Sequence, residues 1–213
     1  MMAGKFNVSS SPHVRDNSST AVIMKDVCIA MIPTLAFGCF QFGISALIVV
    51  ICTVLACVLA EYLYEKLMDK PITIGDFSAV VTGLILALNM PPQIPVWMPV
   101  LGGIFAIIVV KQLYGGLGQN FMNPALAARC FLLISFAGAM TNFSSAALKF
   151  DSTSTPTPLG FLRANGIKIA LDQYNLLNIF LGRIPGTIGE VSTVALLIGA
   201  VYLVVRKVIS LRI

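Results

Sequence analysis

A run of hydroxyl side chains is the densest group of potentially reactive residues in this sequence. It reads Phe150-Asp151-Ser152-Thr153-Ser154-Thr155-Pro156-Thr157-Pro158-Leu159 and lies inside the longest polar stretch of the chain. A chemical role for one of these hydroxyls competes with a plain solvated turn, which is what runs of Ser, Thr and Pro usually form. Composition alone favours the solvated turn.

A second group of polar side chains accompanies the glycine-rich stretch at residues 111–120 (KQLYGGLGQN). The stretch looks like a phosphate-binding loop, but it lacks the Gly-Lys-Ser/Thr ending that such a loop needs. Two interpretations stay open. The glycines allow close helix packing in a flexible or re-entrant connection, or Asn120, Asn123 and Arg129 line a polar site at the cytoplasmic end of a helix bundle.

Charged residues beside the apolar segments are few: Asp26, Glu61, Asp76, Arg129 and Glu190. Charges inside a membrane are costly and often functional, but each of these lies near the end of an apolar segment. Asp26 and Asp76 occupy predicted helix starts, where the helix dipole favours a negative charge. Capping or snorkelling explains most of them. The alternative is a buried charge pair on an ion path, for which Asp76 is the first candidate.

Metal and nucleic-acid chemistry find no support in the sequence. The five cysteines lie in or beside apolar segments, with no C-x-x-C pair and no zinc-type histidine partner: Cys28, Cys39, Cys52, Cys57 and Cys130. Buried cysteine usually behaves as a small hydrophobe, and a membrane iron–sulfur ligand is the alternative. The net charge of +5 comes from basic residues that are scattered rather than clustered with aromatics. We therefore expect no metal site and no nucleic-acid partner.

The composition requires lipid as the solvent of this chain. Its 213 residues are 57% hydrophobic and only 11% charged, with a mean hydropathy of +0.91, whereas soluble domains carry about 25% charged residues. The first 20 residues are polar and lack the apolar region of a signal peptide. The expected fold is an all-α integral membrane protein, a polytopic helical bundle.

Six apolar segments predict six membrane spans. Their limits are residues 27–42, 43–64, 76–90, 94–110, 124–140 and 191–205. The third is short and stops at Asn89-Met90-Pro91-Pro92, which fits a half-helix or a tilted helix held inside the bundle. Pro124 suits the first turn of the fifth.

Basic residues orient these spans and define four regions. Outside the long polar loop, most lysines and arginines fall on one side of six crossings, and basic loops favour the cytoplasm. We therefore expect a multi-pass protein of the cytoplasmic membrane with both ends of this chain inside. The regions are a cytoplasmic arm at 1–25, a five-span bundle at 26–140, an extracytoplasmic loop at 141–190, and the sixth span with a cytoplasmic end at 191–213.

Three stretches make the sequence similar to a known family of membrane redox proteins. They are residues 115–129 (GGLGQNFMNPALAAR), residues 75–84 (GDFSAVVTGL) with the LNMPP end of the third segment, and residues 186–190 (GTIGE). The chain resembles the D subunit of Rnf-type ion-translocating oxidoreductases and the related B subunit of sodium-pumping NADH:quinone reductase. Members of that family run to about ten spans in two related halves. The resemblance implies that these six spans are the N-terminal part of a ten-span inverted-repeat fold, cut short after residue 213.

The resemblance gives the hydroxyl run a specific role. In the family, a threonine of an extracytoplasmic loop carries FMN through a phosphoester bond, after an acidic residue and a Ser or Thr. Asp151, Ser154 and Thr157 have that spacing, so the resemblance implies Thr157 as the FMN acceptor and the other two as its attachment motif. Thr-Pro precedes Thr157 where Gly-Ala is usual, and the proline removes a backbone donor. Thr155 and Thr153 are the fallback acceptors.

The resemblance also implies further cofactors, partners and a function. It implies a second, non-covalent flavin such as riboflavin, other membrane and peripheral subunits of the complex, and a flavin transferase. The chain would pass electrons between ferredoxin and NAD, coupled to Na⁺ or H⁺ translocation, as one subunit of an oxidoreductase rather than a complete enzyme. A non-redox channel or transporter of similar fold is the alternative, because short spans interrupted by Gly and Pro also build substrate sites.

Overall fold

A computed structural model describes residues 19–143, 158–165, 176–182, 184–190 and 192–210, and within them it contains helices and loops but no strand. The helices are α1 Thr20–Phe42, α2 Ile44–Leu67, α3 Ser78–Leu88, α4 Trp97–Gln112, α5 Pro124–Ser135, α6 Ala137–Met140, α7 Pro158–Asn165, α8 Leu176–Leu181 and α9 Thr193–Val205. A 3-10 turn at Ile74–Asp76 precedes α3, and the second part of α4, Ala106–Gln112, is a π-helix. The expected all-α architecture therefore holds for the described part of the chain.

Two long apolar helices have the dimensions of membrane spans. α1 has 23 residues and α2 has 24, so each is about 35 Å long and exceeds the ~30 Å hydrocarbon core of a bilayer. Ser19 begins α1, because its hydroxyl accepts a hydrogen bond from the Val22 amide at 3.4 Å. Gly43 alone joins the two helices at a φ of +76°, a conformation that glycine adopts without strain. The angle between α1 and α2 thus depends on one residue.

The remaining apolar segments contain shorter helices. Each of the six segments predicted from hydropathy holds a helix, but among the described helices α1 and α2 are the two that reach spanning length. The number of spans therefore stays a prediction. The fifth segment is broken at Phe136, which separates α5 from the single turn of α6.

The short helix α3 ends inside the bundle, where a second segment meets it. Its 11 residues rise only about 16 Å. The Ile188 amide donates to the Met90 carbonyl at 3.0 Å, and the Gly189 amide donates to the Leu88 carbonyl at 2.8 Å. A Cβ on Gly189 would lie 2.7 Å from the Leu88 Cβ, so only glycine permits this approach.

This contact differs from the expectation of a polar loop over the whole of residues 141–190. Residues 184–190 return to the bundle, and Ile188 is 1% exposed. The physical reason is that the last turn of a helix leaves carbonyls without intrahelical partners. The amides of residues 188 and 189 satisfy two carbonyls at the end of α3.

Contacts between distant residues place both ends of the described chain at the same end of the bundle. Asp26, near the start of α1, accepts hydrogen bonds from Arg206 at 3.2 and 3.3 Å and from the Tyr202 hydroxyl at 3.0 Å, at the end of α9. The hydrogen bond and charge of Asp26 raise the pKa of Arg206 above its ordinary value. The ammonium of Lys25 lies 4.9 Å from the ring of Phe77, just before α3. We call this end, which also holds the ends of α2 and α4 and the start of α5, the polar end.

Small residues let the central helices approach closely. A Cβ on Gly83 of α3 would lie 2.8 Å from the Val54 Cα of α2, and a Cβ on Gly103 of α4 would lie 2.9 Å from the Cys57 sulfur. Small residues at helix interfaces are how membrane helices gain packing contacts without a hydrophobic driving force. α2, α3 and α4 thus form a tight layer that positions the residues described next.

Candidate functional site

A buried ion pair joins α2 to α4 near the polar end. The Lys111 ammonium lies 2.6 Å from Glu61 Oε1, and the two side chains are 2% and 0% exposed. Burying either charge alone would be strongly unfavourable, whereas a hydrogen-bonded pair offsets part of that cost. The sequence had suggested a polar break at Lys111 and a span end at Glu61. The structure instead packs both into the interior.

The π-helical part of α4 turns two consecutive polar residues toward α2. The Leu113 amide donates to the Ile108 carbonyl at 3.0 Å, the wider spacing of a π-helix, and such segments are frequent at functional sites. Next to Lys111, the side-chain amide of Gln112 donates from Nε2 to Glu61 Oε1 at 2.9 Å and to Glu65 Oε1 at 3.3 Å. Glu61 and Glu65 are four residues apart, so they lie on the same face of α2.

The ammonium of Lys111 also reaches the start of α3. It donates to Ser78 Oγ at 2.5 Å. The Ser78 hydroxyl and amide in turn donate to Asp76 Oδ1 at 2.5 and 2.8 Å. Phe77, between them, adopts a left-handed φ of +63°, which is uncommon for a bulky residue. Asp76 thus sits at the helix start, in the capping role that its position suggested.

Three carboxylates therefore belong to one hydrogen-bonded network with this ammonium: Glu61 contacts it directly, Asp76 is linked to it through Ser78, and Glu65 is linked to Glu61 through Gln112. We call Glu61, Glu65 and Asp76 the carboxylate cluster. Glu65 is 1% exposed and accepts a hydrogen bond from the Thr73 amide at 3.0 Å and another from its hydroxyl. Among the residues that the structure describes, Glu61 Oε2 has no hydrogen-bond partner.

A cavity of about 500 Å³ opens beside this network, within the ~300–1,000 Å³ range of small-molecule sites. Its polar lining consists of Ser78, Thr82, Lys111, Asn120 and Asn123. Its other walls are formed mainly by apolar side chains, from Met24, Val81, Ile85, Leu117, Phe121, Met122 and Pro124. We call it the polar-end cavity. It combines apolar surface with a few convergent hydrogen-bonding groups, as ligand sites do.

The glycine-rich loop forms one wall of this cavity. Gly116 and Gly118 adopt φ values of +98° and +84°, which side-chain-bearing residues rarely tolerate. Asn120 donates to the Met122 carbonyl at 3.0 Å. The Asn123 side chain accepts from the Ala125 amide at 3.0 Å and so begins α5. The two asparagines hold the loop's exit and line the cavity at the same time.

Arg129 lies in a different place from the two asparagines. Its guanidinium donates to Asn89 Oδ1 at 2.7 Å, at the end of α3. It lines a separate cavity of about 360 Å³ together with Thr187 and Glu190. The structure therefore brings Asn120 and Asn123 to the polar-end cavity and places Arg129 beside the junction of α3 with residues 184–190.

Comparison of the sequence with a family profile establishes the family of this chain. The profile of the NQR2, RnfD, RnfE family matches residues 7–213. This chain belongs to that family. The predicted resemblance is confirmed, and the apolar helices are those of a membrane protein.

Individual members of the family are similar over nearly the whole chain. The D subunit of the Na⁺-translocating ferredoxin:NAD⁺ oxidoreductase complex of Acetobacterium woodii is 49% identical over 211 residues, which cover 98% of this chain and 65% of the relative. The D subunit of the proton-translocating ferredoxin:NAD⁺ oxidoreductase complex of Clostridium ljungdahlii is 44% identical over 214 residues, with the same two coverages. The D subunit of an ion-translocating oxidoreductase complex of Escherichia fergusonii is 35% identical, over 96% of this chain and 68% of the relative. The chain thus spans 65% of the length of the first two relatives.

Three of the predicted site residues lie outside the described part of the structure. They are Asp151, Ser154 and Thr157, the proposed flavin attachment motif. The next residue, Pro158, begins α7. The attachment site therefore stays a prediction.

Sequence reasoning missed the pairing of Glu61 with Lys111. The available signal was the spacing of Glu61 and Glu65, which places two acids on one face of an otherwise apolar helix. Such a face needs a cation or a proton. Lys111 comes directly after an apolar segment, but it lies 50 positions from Glu61 along the chain.

Proposed function

We propose that this chain is a flavin-carrying membrane subunit of an ion-translocating ferredoxin:NAD⁺ oxidoreductase complex. In this role it passes electrons between partner subunits, coupled to Na⁺ or H⁺ translocation. The observation that carries the proposal is the 49% identity, over 98% of the chain, to a relative whose name states that reaction. The comparably similar relative from Clostridium ljungdahlii is named as proton-translocating, so the proposal includes both ions.

The polar-end cavity is the place proposed for a non-covalent flavin such as riboflavin. The chemistry of its lining fits the group: a flavin ring has a hydrogen-bonding edge and an apolar edge, and this cavity offers hydroxyls, amides and an ammonium on an otherwise apolar wall. Ser78, Lys111, Asn120 and Asn123 are the residues that would hold it. A bound flavin supplies the electron-transfer chemistry, while the protein supplies binding, orientation and electrostatics.

A covalent FMN on Thr157 is the second part of the proposal. Asp151 and Ser154 would complete the motif recognised by a flavin transferase. Attachment would keep the flavin at a high effective concentration beside its electron partners. In a denaturing gel, the full-length subunit is expected to show flavin fluorescence, and Thr157→Ala is expected to lose it. Thr153→Ala is the matched control and should stay fluorescent; a fluorescent Thr157→Ala band would move the site to a neighbouring hydroxyl.

The membrane arrangement proposed for the chain has six spans in the cytoplasmic membrane, as the first part of a ten-span repeat. Both ends of this chain would face the cytoplasm, and the loop at residues 141–190 would lie on the outer side. The juxtaposition of Asp26 with Arg206 supports a common side for both ends. Reporter fusions after residue 150 and after residue 210 test this, because an enzyme active only outside the cell should report at the first position alone.

A non-redox channel or transporter is the second candidate. It is favoured by the interruption of α3 at Asn89 and by the return of residues 184–190 to meet it, an arrangement that also builds solute sites near the middle of a membrane. The absorbance spectrum of the purified complex separates the two candidates. Flavin bound to this subunit supports the electron-transfer role, and a complex that transports a solute without any flavin on this subunit contradicts it.

A further inference from the structure

Among the described residues that line the polar-end cavity, Lys111 is the one that carries a formal charge. Its side chain is 2% exposed, so the charge acts from within the bundle rather than through bulk water. Glu61 and Ser78 accept hydrogen bonds from it, whereas an ammonium has three donors. Two of its three donors are therefore used by these contacts, and the side chain lines the cavity.

Two different helices fix the position of this cation. Glu61 holds it from α2 at 2.6 Å, and Ser78 holds it from α3 at 2.5 Å. Ser78 is itself held by Asp76 through two hydrogen bonds. Lys111 cannot leave the cavity wall without breaking both of these contacts.

We propose that Lys111 sets the reduction potential of a flavin bound in the polar-end cavity, and that Glu61 moderates its effect. This inference rests on the proposed function of the cavity. When a flavin takes up two electrons and one proton, its ring gains one negative charge. A fixed cation at low dielectric stabilises that charged form relative to the neutral oxidised form. Glu61 does not line the cavity, and its negative charge opposes that of Lys111.

The proposal predicts opposite effects for two substitutions. Lys111→Met removes the cation and should weaken the binding of reduced flavin more than that of oxidised flavin. Glu61→Gln removes the opposing charge but keeps an oxygen acceptor for Lys111, and it should strengthen the preference for reduced flavin. Damage to the fold would weaken the binding of both forms and would not give opposite signs.

The measurement is the ratio of two affinities in the purified, flavin-depleted complex that contains the full-length subunit. Riboflavin is the probe, and equilibrium dialysis under anaerobic conditions gives Kd for its oxidised form and for its dithionite-reduced form. We expect the preference for the reduced form to fall at least about tenfold in Lys111→Met, equivalent to about 30 mV for a two-electron couple. Lys111→Arg keeps the charge and should keep the ratio. Asp26→Asn, a change outside the cavity, is the matched control.

Separate outcomes test whether the polar-end cavity is the flavin site and whether Lys111 has the proposed role. Thr82→Phe fills the cavity, and unchanged riboflavin binding in this variant would overturn the cavity as the flavin site. If that site stands, an unchanged ratio in Lys111→Met, or a shift of the same sign in Glu61→Gln, would overturn the role of Lys111. If Lys111→Met does not assemble, the other two variants decide: the inference requires a higher ratio in Glu61→Gln and an unchanged one in Lys111→Arg.

Discussion

Replacing Lys111 with methionine should destabilise the membrane bundle far more than replacing an exposed lysine. The substitution leaves the Glu61 carboxylate, which is fully buried, without the cation that lies 2.6 Å away. Only the side-chain amide of Gln112, at 2.9 Å from Glu61 Oε1, remains close enough to donate a strong hydrogen bond. Glu61 Oε2 already lacks a partner among the described residues. Removing one partner of a buried ion pair costs about 3–5 kcal/mol.

The double variant shows whether the uncompensated charge is the cause. Glu61→Gln together with Lys111→Met removes both charges, and such neutral replacements are often tolerated. At about 2–4 °C per kcal/mol for a domain of this size, Lys111→Met should lower the midpoint of thermal unfolding by about 6–20 °C. The double variant should recover most of that loss.

Thermal unfolding of the full-length subunit in its complex, followed by size-exclusion chromatography of heated samples, measures these midpoints. Lys66→Met provides the matched control, because Lys66 is an exposed residue near the end of α2. A midpoint for Lys111→Met within about 2 °C of the wild type, a change of under about 1 kcal/mol, would refute the burial of an intact pair. So would a double variant that is less stable than the single one.

Two further substitutions test the contacts that close the bundle. Gly189→Ala places a Cβ 2.7 Å from that of Leu88, and overpacking of this kind costs about 1–3 kcal/mol; Gly138→Ala, where nothing lies within 4 Å, should be neutral in the same thermal assay. Asp26→Asn weakens the pair between a buried carboxylate, 8% exposed, and the Arg206 side chain, which is 51% exposed. Because solvent screens the Arg206 side of the pair, the unfolding midpoint should fall less than in Lys111→Met, and a fall as large as that of Lys111→Met would contradict this geometry.

Local sequence signals predicted the elements better than the site. Hydropathy located a helix in each of the six apolar segments, because burial in lipid is a property of a continuous stretch of residues. The start of α5 at Pro124 followed from the residue type alone, since proline suits the first helical position, and in the structure the Asn123 side chain caps that turn. These interactions join residues a few positions apart.

The pairing of buried groups could not be predicted in this way. Glu61 and Lys111 are 50 positions apart, and nothing in either neighbourhood specifies the other. Arg129 was grouped with Asn123 because they are close in sequence. A separation of six residues along a helix is about 9 Å, which carries Arg129 away from the polar end and toward Asn89. Residues 184–190 were assigned to the extracytoplasmic loop from their composition. Their burial depends on carbonyls at the end of α3, which their own composition does not reveal.

The meeting of α3 with residues 184–190 also constrains how the protein is made. A ribosome must add about 100 more residues after Leu88 before Gly189 exists, which takes about 5–20 s at the usual rate of synthesis. During that interval the carbonyls of Leu88 and Met90 lack the donors that they have in the finished bundle. An unsatisfied carbonyl is unfavourable in hydrocarbon, so the nascent α3 should stay near water or the insertion machinery. Final insertion of α3 would then wait for a segment synthesised much later.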